Sequence, residues 1–257
     1  MPLTPINSIS ASTDQYDKAL LRDRAIRLAS AAGVNAQAVA EHAMALMLAL
    51  CRRLPEARDH QNARRWRGMI SEIAAREDQL AGKTLLIVGL GRSGARLARL
   101  AKAFDMRVIA TRRNAATGAT GADAVYSQHR RRELLGQADV IALTCSLTPE
   151  TENLIDAAAL AAMKPTAFLI NVARGRVVDE AALIEALQER RLAAAGLDVT
   201  REEPLAAASP LWTLPNVLIT PHTAGETQSY EDAVIDILLE NLHRLWRGET
   251  ELKNQIV

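Results

Sequence analysis

The chain has 257 residues, with 31 Lys plus Arg against 30 Asp plus Glu, 3% aromatic residues and two cysteines. That length buries a sizeable core as one large domain or two unequal ones, and the charge balance gives no reason to expect a nucleic-acid partner. Cys51 and Cys145 lie far apart and form neither a disulfide framework nor a metal-ligand spacing, so no metal is expected and both read as reduced thiols of a cytoplasmic protein.

The N-terminus has no basic and apolar signal pattern, and the apolar helices are charged or too short to span a bilayer, so no membrane partner is expected. Residues 1–10 are polar, with an alternation at Ile6 and Ile9 that predicts an edge strand. Residues 17–24 read as a helix and 26–29 as a short strand. Asn35 caps a predicted long helix that places Val39, Ala43, Leu46, Met47, Leu50 and Leu54 on one face and joins two structural units. The arginine-rich stretch 60–78 carries Trp66, expected as a packing anchor or a subunit contact.

From Thr84 onward strands and helices alternate. Strands are predicted at 84–88, 107–111, 122–125, 139–144, 167–171, 194–198 and 217–219, with helices near 93–104, 130–136, 156–163 and 179–189. Continuous apolar strands separated by helices imply an α/β fold with a doubly wound parallel sheet of Rossmann type. Arg130-Arg131-Arg132 reads as a solvated or salt-bridged face. In a last helix, near 227–247, Val234, Ile237, Leu238, Leu242 and Leu245 form a stripe that should pack on another element.

The first of these strands runs into Gly89-Leu90-Gly91-Arg92-Ser93-Gly94. Gly89 allows a tight turn, Gly91 lets backbone approach a pyrophosphate, and Gly94 lets the following helix sit close to the sheet. Arg92 and Ser93 stand at the helix start, where unpaired N–H groups meet phosphates. A merely structural glycine turn is the plain alternative. The next strand ends on Thr111-Arg112-Arg113, where an NAD site places an acid to hold the ribose. Two guanidiniums and a hydroxyl suit a phosphate instead, so NADP is the expected cofactor, with NAD possible. The competing reading is a solvated arginine pair.

Three polar residues follow successive predicted strand ends, where ligands sit in such sheets: Arg174, Glu203 and His222. Hydride transfer to a carbonyl acid needs a cation to orient the substrate, which Arg174 supplies, and an acid-base group, which the His222 imidazole supplies. Glu203 would hold the ring's tautomer. Singly, each reads as a loop or surface group; together they favour catalysis.

Asn171-Val172-Ala173-Arg174-Gly175, Gly196-Leu197-Asp198-Val199 leading to Glu202-Glu203-Pro204-Leu205, and Pro221-His222-Thr223-Ala224-Gly225 resemble signature segments of the D-isomer-specific 2-hydroxyacid dehydrogenases. Ala40-Glu41-His42, Leu147-Thr148-Pro149-Glu150-Thr151 and Ser209-Pro210-Leu211-Trp212 are supporting matches. The resemblance implies that Arg174 binds the substrate carboxylate and carbonyl, that His222 protonates the oxygen as hydride reaches the 2-oxo carbon, and that Glu203 pairs with His222. It also implies that Asp198 lies near the nicotinamide and that the protein is a homodimer. Thr144-Cys145-Ser146 stands where the family commonly has His-x-Pro beside the cofactor. Ser10, Ala11, Ser12 and Thr13 resemble the family's substrate-binding loop, with Ser12 at a common glycine position.

That loop normally follows several strands and helices of a flavodoxin-like domain. The resemblance thus implies a truncated second domain: residues 1–34 as its remnant, 35–224 as the dinucleotide-binding domain, and 225–257 as a helix returning toward the substrate domain. The expected activity is NADP-dependent reduction of a small 2-oxo acid, such as glyoxylate or hydroxypyruvate, reversible from the D-2-hydroxy acid. The alternative is an NADP-binding protein with little or no catalysis, because closure of two domains normally excludes water.

Overall fold

The computed structural model describes residues 5–114 and 120–257. In chain order its elements are β1 (Ile6–Asn7), α1 (Lys18–Asp23), β2 (Leu28–Ala29), α2 (Ala36–Cys51), α3 (Leu54–Asn62), β3 (Thr84–Val88), α4 (Arg92–Ala103), β4 (Arg107–Arg112) and β5 (Ala124–Ser127). They continue with α5 (Arg131–Leu135), β6 (Val140–Leu143), α6 (Ala157–Ala161), β7 (Phe168–Asn171), α7 (Glu180–Gln188), β8 (Ala194–Leu197), β9 (Val217–Ile219) and α8 (Tyr230–Trp246). Two units result: residues up to Val39 together with Gly225–Val257, and Ala40–Ala224.

The larger unit is built on a seven-stranded sheet of order β5-β4-β3-β6-β7-β8-β9, parallel at every pairing. Strands β3, β6 and β8 are buried at every residue because both faces are covered. Leu86 and Val88 of β3 join a cluster with Leu134, Leu135, Leu160, Leu183 and Leu187 from α5, α6 and α7. On the opposite face Ile87 meets α4 at Gly94, and Gly196 of β8 meets Leu46 of α2, each too close for an added side chain to sit without displacing a neighbour. Chain direction across the sheet reverses between β3 and β6, which opens a crevice at their carboxyl ends.

The expected strands and helices of this unit are present, with shifted ends. The strand read at 122–125 forms at Ala124–Ser127, because the Asp123 carboxylate accepts the Val108 amide at 2.7 Å and the ladder starts one residue later. The long helix does not reach Leu54: it ends at Cys51, Arg53 turns left-handed with φ of 50°, and Pro55 falls in the first turn of α3. A proline fits there and not in a helix interior. Leu54 is consequently exposed, and Trp66, 99% exposed, anchors nothing within the described chain.

In the smaller unit β1 pairs in parallel with β2, which also receives the C-terminal tail through an Ile256 N–H to Leu28 C=O bond of 2.7 Å. Asp17 caps α1 by accepting from Leu20 N. The α8 stripe is half used: Val234 and Ile237 are buried, whereas Leu238 and Leu242 stay exposed. The inward position beside them belongs to Asn241, whose amide bonds Asn7 Oδ1 at 2.8 Å and the Lys253 N–H at 2.7 Å. Among the described residues no helix is long and apolar enough to cross a membrane.

Asp139 pins the start of β3. It accepts from Thr84 N at 2.8 Å and pairs with Lys164 at 2.7 Å. Burial pushes its carboxyl up, but the Lys164 ammonium and the Thr84 amide outweigh it and hold the group below the usual range. Asp139→Ala should lower stability by about 1–3 kcal/mol in urea denaturation at neutral pH. A depressed carboxyl stabilises above its unfolded value, about 4, and loses that contribution as pH falls through the folded one. The gap between the two chains should therefore shrink in acid.

Candidate active site

The glycine turn after β3 is shaped by close contacts. Gly89 has φ of 101°, and a Cβ there would lie 2.6 Å from the Cys145 backbone; a Cβ on Gly94 would lie 2.7 Å from the Gly89 carbonyl. Thr144 ties the same carbonyl down through its hydroxyl at 2.8 Å, while the Thr111 carbonyl accepts the Gly89 and Leu90 amides, both at 3.0 Å. Gly91, at the N-cap of α4, has open space where its side chain would be, so backbone there is accessible to a ligand. Arg92 and Ser93 form the first turn of that helix.

A cavity of about 420 Å³ opens over this turn, lined by Gly89, Gly91, Thr111, Arg112, Arg113 and Thr144 among others. The cradle of amides and guanidiniums fits a dinucleotide. Cys145 also lines it, but burial pushes its thiol up to about 11, so it is a neutral wall at physiological pH and not a nucleophile. Among the described residues no cluster of side chains is arranged to hold a metal ion.

The second part of the site lies beyond β7, β8 and β9. Asn171 shapes the first loop: its side chain accepts from Ala173 N and donates to Arg174 O, both at 3.0 Å. Arg174 donates to the Ala173 carbonyl at 2.7 Å. The next residue must be glycine, because a Cβ on Gly175 would lie 1.8 Å from Thr200 O. Thr200 in turn donates its amide to Glu203 Oε1 at 3.1 Å, and Glu203 Oε2 meets His222 Nδ1 at 2.7 Å. Glu203 and His222 are therefore in direct contact, and Arg174 is joined to them through the backbone contact at Gly175. With Nδ1 held by the carboxylate, Nε2 is the ring nitrogen left for a substrate.

His222 itself is left-handed, with φ of 57°. Asp198, 2% exposed, holds that conformation. Its carboxylate accepts from Thr220 Oγ1 at 2.6 Å, Thr223 N at 2.9 Å and Ala224 N at 3.0 Å, and its carbonyl accepts His222 N at 2.8 Å. His42 on α2 completes the corner, 2.8 Å from Thr220 Oγ1 and 3.4 Å from Asp198 Oδ1.

His42 and Thr220 carry structural weight that sequence reading did not assign to them. The usable signal was the i, i+4 relation of His42 to Leu46, which packs on Gly196: a polar residue one turn earlier on that face points toward the carboxyl end of β8. In the smaller unit, Ser10, Ala11, Ser12 and Thr13 form a loop of local bonds, Ser10 N to Ser8 Oγ at 3.1 Å, Ser12 N to Ser10 Oγ at 3.2 Å and the Ser12 hydroxyl to Asp14.

A parallel sheet with this strand order, a glycine turn leading into a helix, and polar groups gathered beyond the strand ends define a nicotinamide-dinucleotide oxidoreductase. The pattern of the D-isomer specific 2-hydroxyacid dehydrogenase NAD binding domain matches residues 44–224, and the chain belongs to that family. It is 36% identical to a glyoxylate reductase of Korarchaeum cryptofilum over 92% of this chain and 71% of the relative. An acyclic imino acid reductase solved with NADPH and D-Arg superposes with a TM-score of 0.88 at 29% identity, over 99% of this chain and 79% of that one. A D-lactate dehydrogenase from Aquifex aeolicus, solved with NAD and lactic acid, gives 0.84 at 30% identity, over 99% and 80%. The chain accordingly binds NAD(P).

Gly175→Ala tests the contact that joins Arg174 to the Glu203–His222 pair. Because the obstacle is backbone, the loop must move, and we expect a stability loss of at least about 1–3 kcal/mol. The glycine turn after β3 lies elsewhere, so NADPH affinity measured by fluorescence titration should change less than twofold, roughly within the spread of distant, independent sites.

Proposed function

We propose that this protein transfers a hydride between NADP(H) and a small 2-oxo acid, glyoxylate or hydroxypyruvate in kind, giving the D-2-hydroxy acid. The observation that carries the reading is the 2.7 Å bond between Glu203 and His222 Nδ1, which orients an imidazole with Nε2 available for a reacting oxygen. Arg174 binds the substrate carboxylate and polarises the carbonyl through its forked donors. His222 delivers a proton to the oxygen from Nε2 as the carbonyl is reduced, and takes it back in the reverse direction. Glu203 keeps the proton-bearing Nδ1 fixed and stabilises the imidazolium. Asp198 holds the His222 turn beside the nicotinamide.

When bound, the nicotinamide cofactor supplies and accepts the hydride. Amides at Arg92 and Ser93 would meet its pyrophosphate beside the open backbone of Gly91, with Gly89 and Gly94 giving the turn its shape, and Thr144 supports that turn from the next strand. Arg112 and Arg113 beside Thr111 favour the ribose phosphate of NADP over the bare hydroxyls of NAD. Backbone amides of Ser10, Ala11, Ser12 and Thr13 take the substrate carboxylate from a substrate domain of which residues 1–34 are part; 35–224 hold the cofactor and 225–257 return toward that domain. The protein works in the cytoplasm as a homodimer, and the exposed Trp66, Met69 and Ile73 supply apolar surface for the second copy.

Consumption of NADPH that depends on glyoxylate or hydroxypyruvate is the expected result in a spectrophotometric assay. His222→Asn should lower kcat on the order of 10²–10⁴-fold with NADPH affinity retained. Tight NADPH binding with no consumption by the unaltered chain would instead identify a cofactor-binding protein without catalysis. Arg112→Asp should weaken NADPH far more than NADH in parallel titrations, and equal effects would remove its phosphate role.

A further inference from the structure

Two members of the run Arg130-Arg131-Arg132 form the salt-bridged face expected of it. Arg130 pairs with Glu133 at 2.9 Å and lies 5.0 Å from the Tyr126 ring centre, and Arg132 pairs with Asp156 at 3.3 Å. Arg131 differs from both. It opens α5 and lines the same cavity as Arg112 and Arg113, and its Nε is buried with no hydrogen-bond partner among the described residues.

A buried guanidinium nitrogen without a partner is uncommon, because it has given up water for nothing. No Asp or Glu lines that cavity, so an anion entering it meets arginines and neutral groups only. Burial also holds the Arg131 guanidinium below the usual arginine range, by more than Cys145 and the Asp156 carboxylate restore, yet it remains protonated. The Arg131 Nε as it stands is short of an acceptor.

We propose that Arg131 is a specificity-determining residue of the cofactor site, binding the phosphomonoester on the adenosine ribose together with Arg112 and Arg113. This rests on the NADP reading above. A phosphate dianion offers three acceptor oxygens, enough for donors from separate directions. A bare ribose hydroxyl gives a guanidinium no charge to pair with, so Arg131 discriminates between the two cofactors instead of adding to both.

Binding of 2′,5′-ADP and 5′-AMP, measured by calorimetry on the whole chain, separates this role from others. Arg131→Gln should weaken 2′,5′-ADP on the order of tenfold and leave 5′-AMP within about twofold. Arg131→Met, which keeps the packing of the side-chain stem, should give the same split even if Arg131→Gln folds poorly. An equal loss for both nucleotides, as a guanidinium stacked on the adenine would produce, overturns the proposal, and so does no loss for either. The underlying reading fails separately: unaltered protein that binds 2′,5′-ADP no more tightly than 5′-AMP has no phosphate site. Discrimination lost in Arg112→Asp but kept in both Arg131 variants leaves that site standing and removes Arg131 from it.

Discussion

The buried carboxylate of Asp198 is the constraint on which the β8–β9 corner depends. A left-handed conformation at a non-glycine residue such as His222 costs roughly 1–3 kcal/mol. Three hydrogen bonds to its carboxylate, from Thr220, Thr223 and Ala224, bracket His222 and oppose that cost. The left-handed turn brings Nδ1 of His222 to Glu203, and the ring is then fixed by a short bond to a partner that also holds the Thr200 amide. Strain at His222 is sustained by the buried Asp198 carboxylate behind it.

Close backbone approaches do for the loops what Asp198 does for the imidazole. At Gly175 the loop after β7 touches the Thr200 backbone after β8, and at Gly89 the loop after β3 touches the Cys145 backbone after β6. Each contact joins neighbouring loops at the carboxyl edge of one sheet. Position at that edge is thereby inherited from the strand register, which the apolar core holds at atomic density. The cofactor cradle and the Arg174–Glu203–His222 group are both outcomes of that edge.

Much of this was legible in the residues. Strands 84–88 and 217–219 lie where they were expected, because continuous apolar runs bounded by glycine, proline or charge leave little freedom. The strand near 124 was misplaced because its alternation is weak and a side-chain bond from Asp123, invisible to periodicity, decides where pairing begins. Apolar spacing runs on through Leu54, but Pro55 fits the first turn of α3 and not the interior of a continued helix. The pairing of Glu203 with His222 followed from family motifs; the places of His42 and Thr220 around Asp198 did not, since the spacing of His42 to Leu46 gives its helix face but not its partner. Arg131 was hidden among like charges whose partners only the fold reveals.

The account rests on the claim that Asp198 acts through the geometry of His222. Single-turnover hydride transfer from NADPH to glyoxylate, compared between the unaltered chain and Asp198→Asn at saturating cofactor, tests it most directly. An amide cannot accept at both oxygen positions, so at least one anchor of the turn is lost and the rate is expected to fall on the order of 10²-fold, the scale of a misplacement near 1 Å. Equal rates in the two chains would contradict the account.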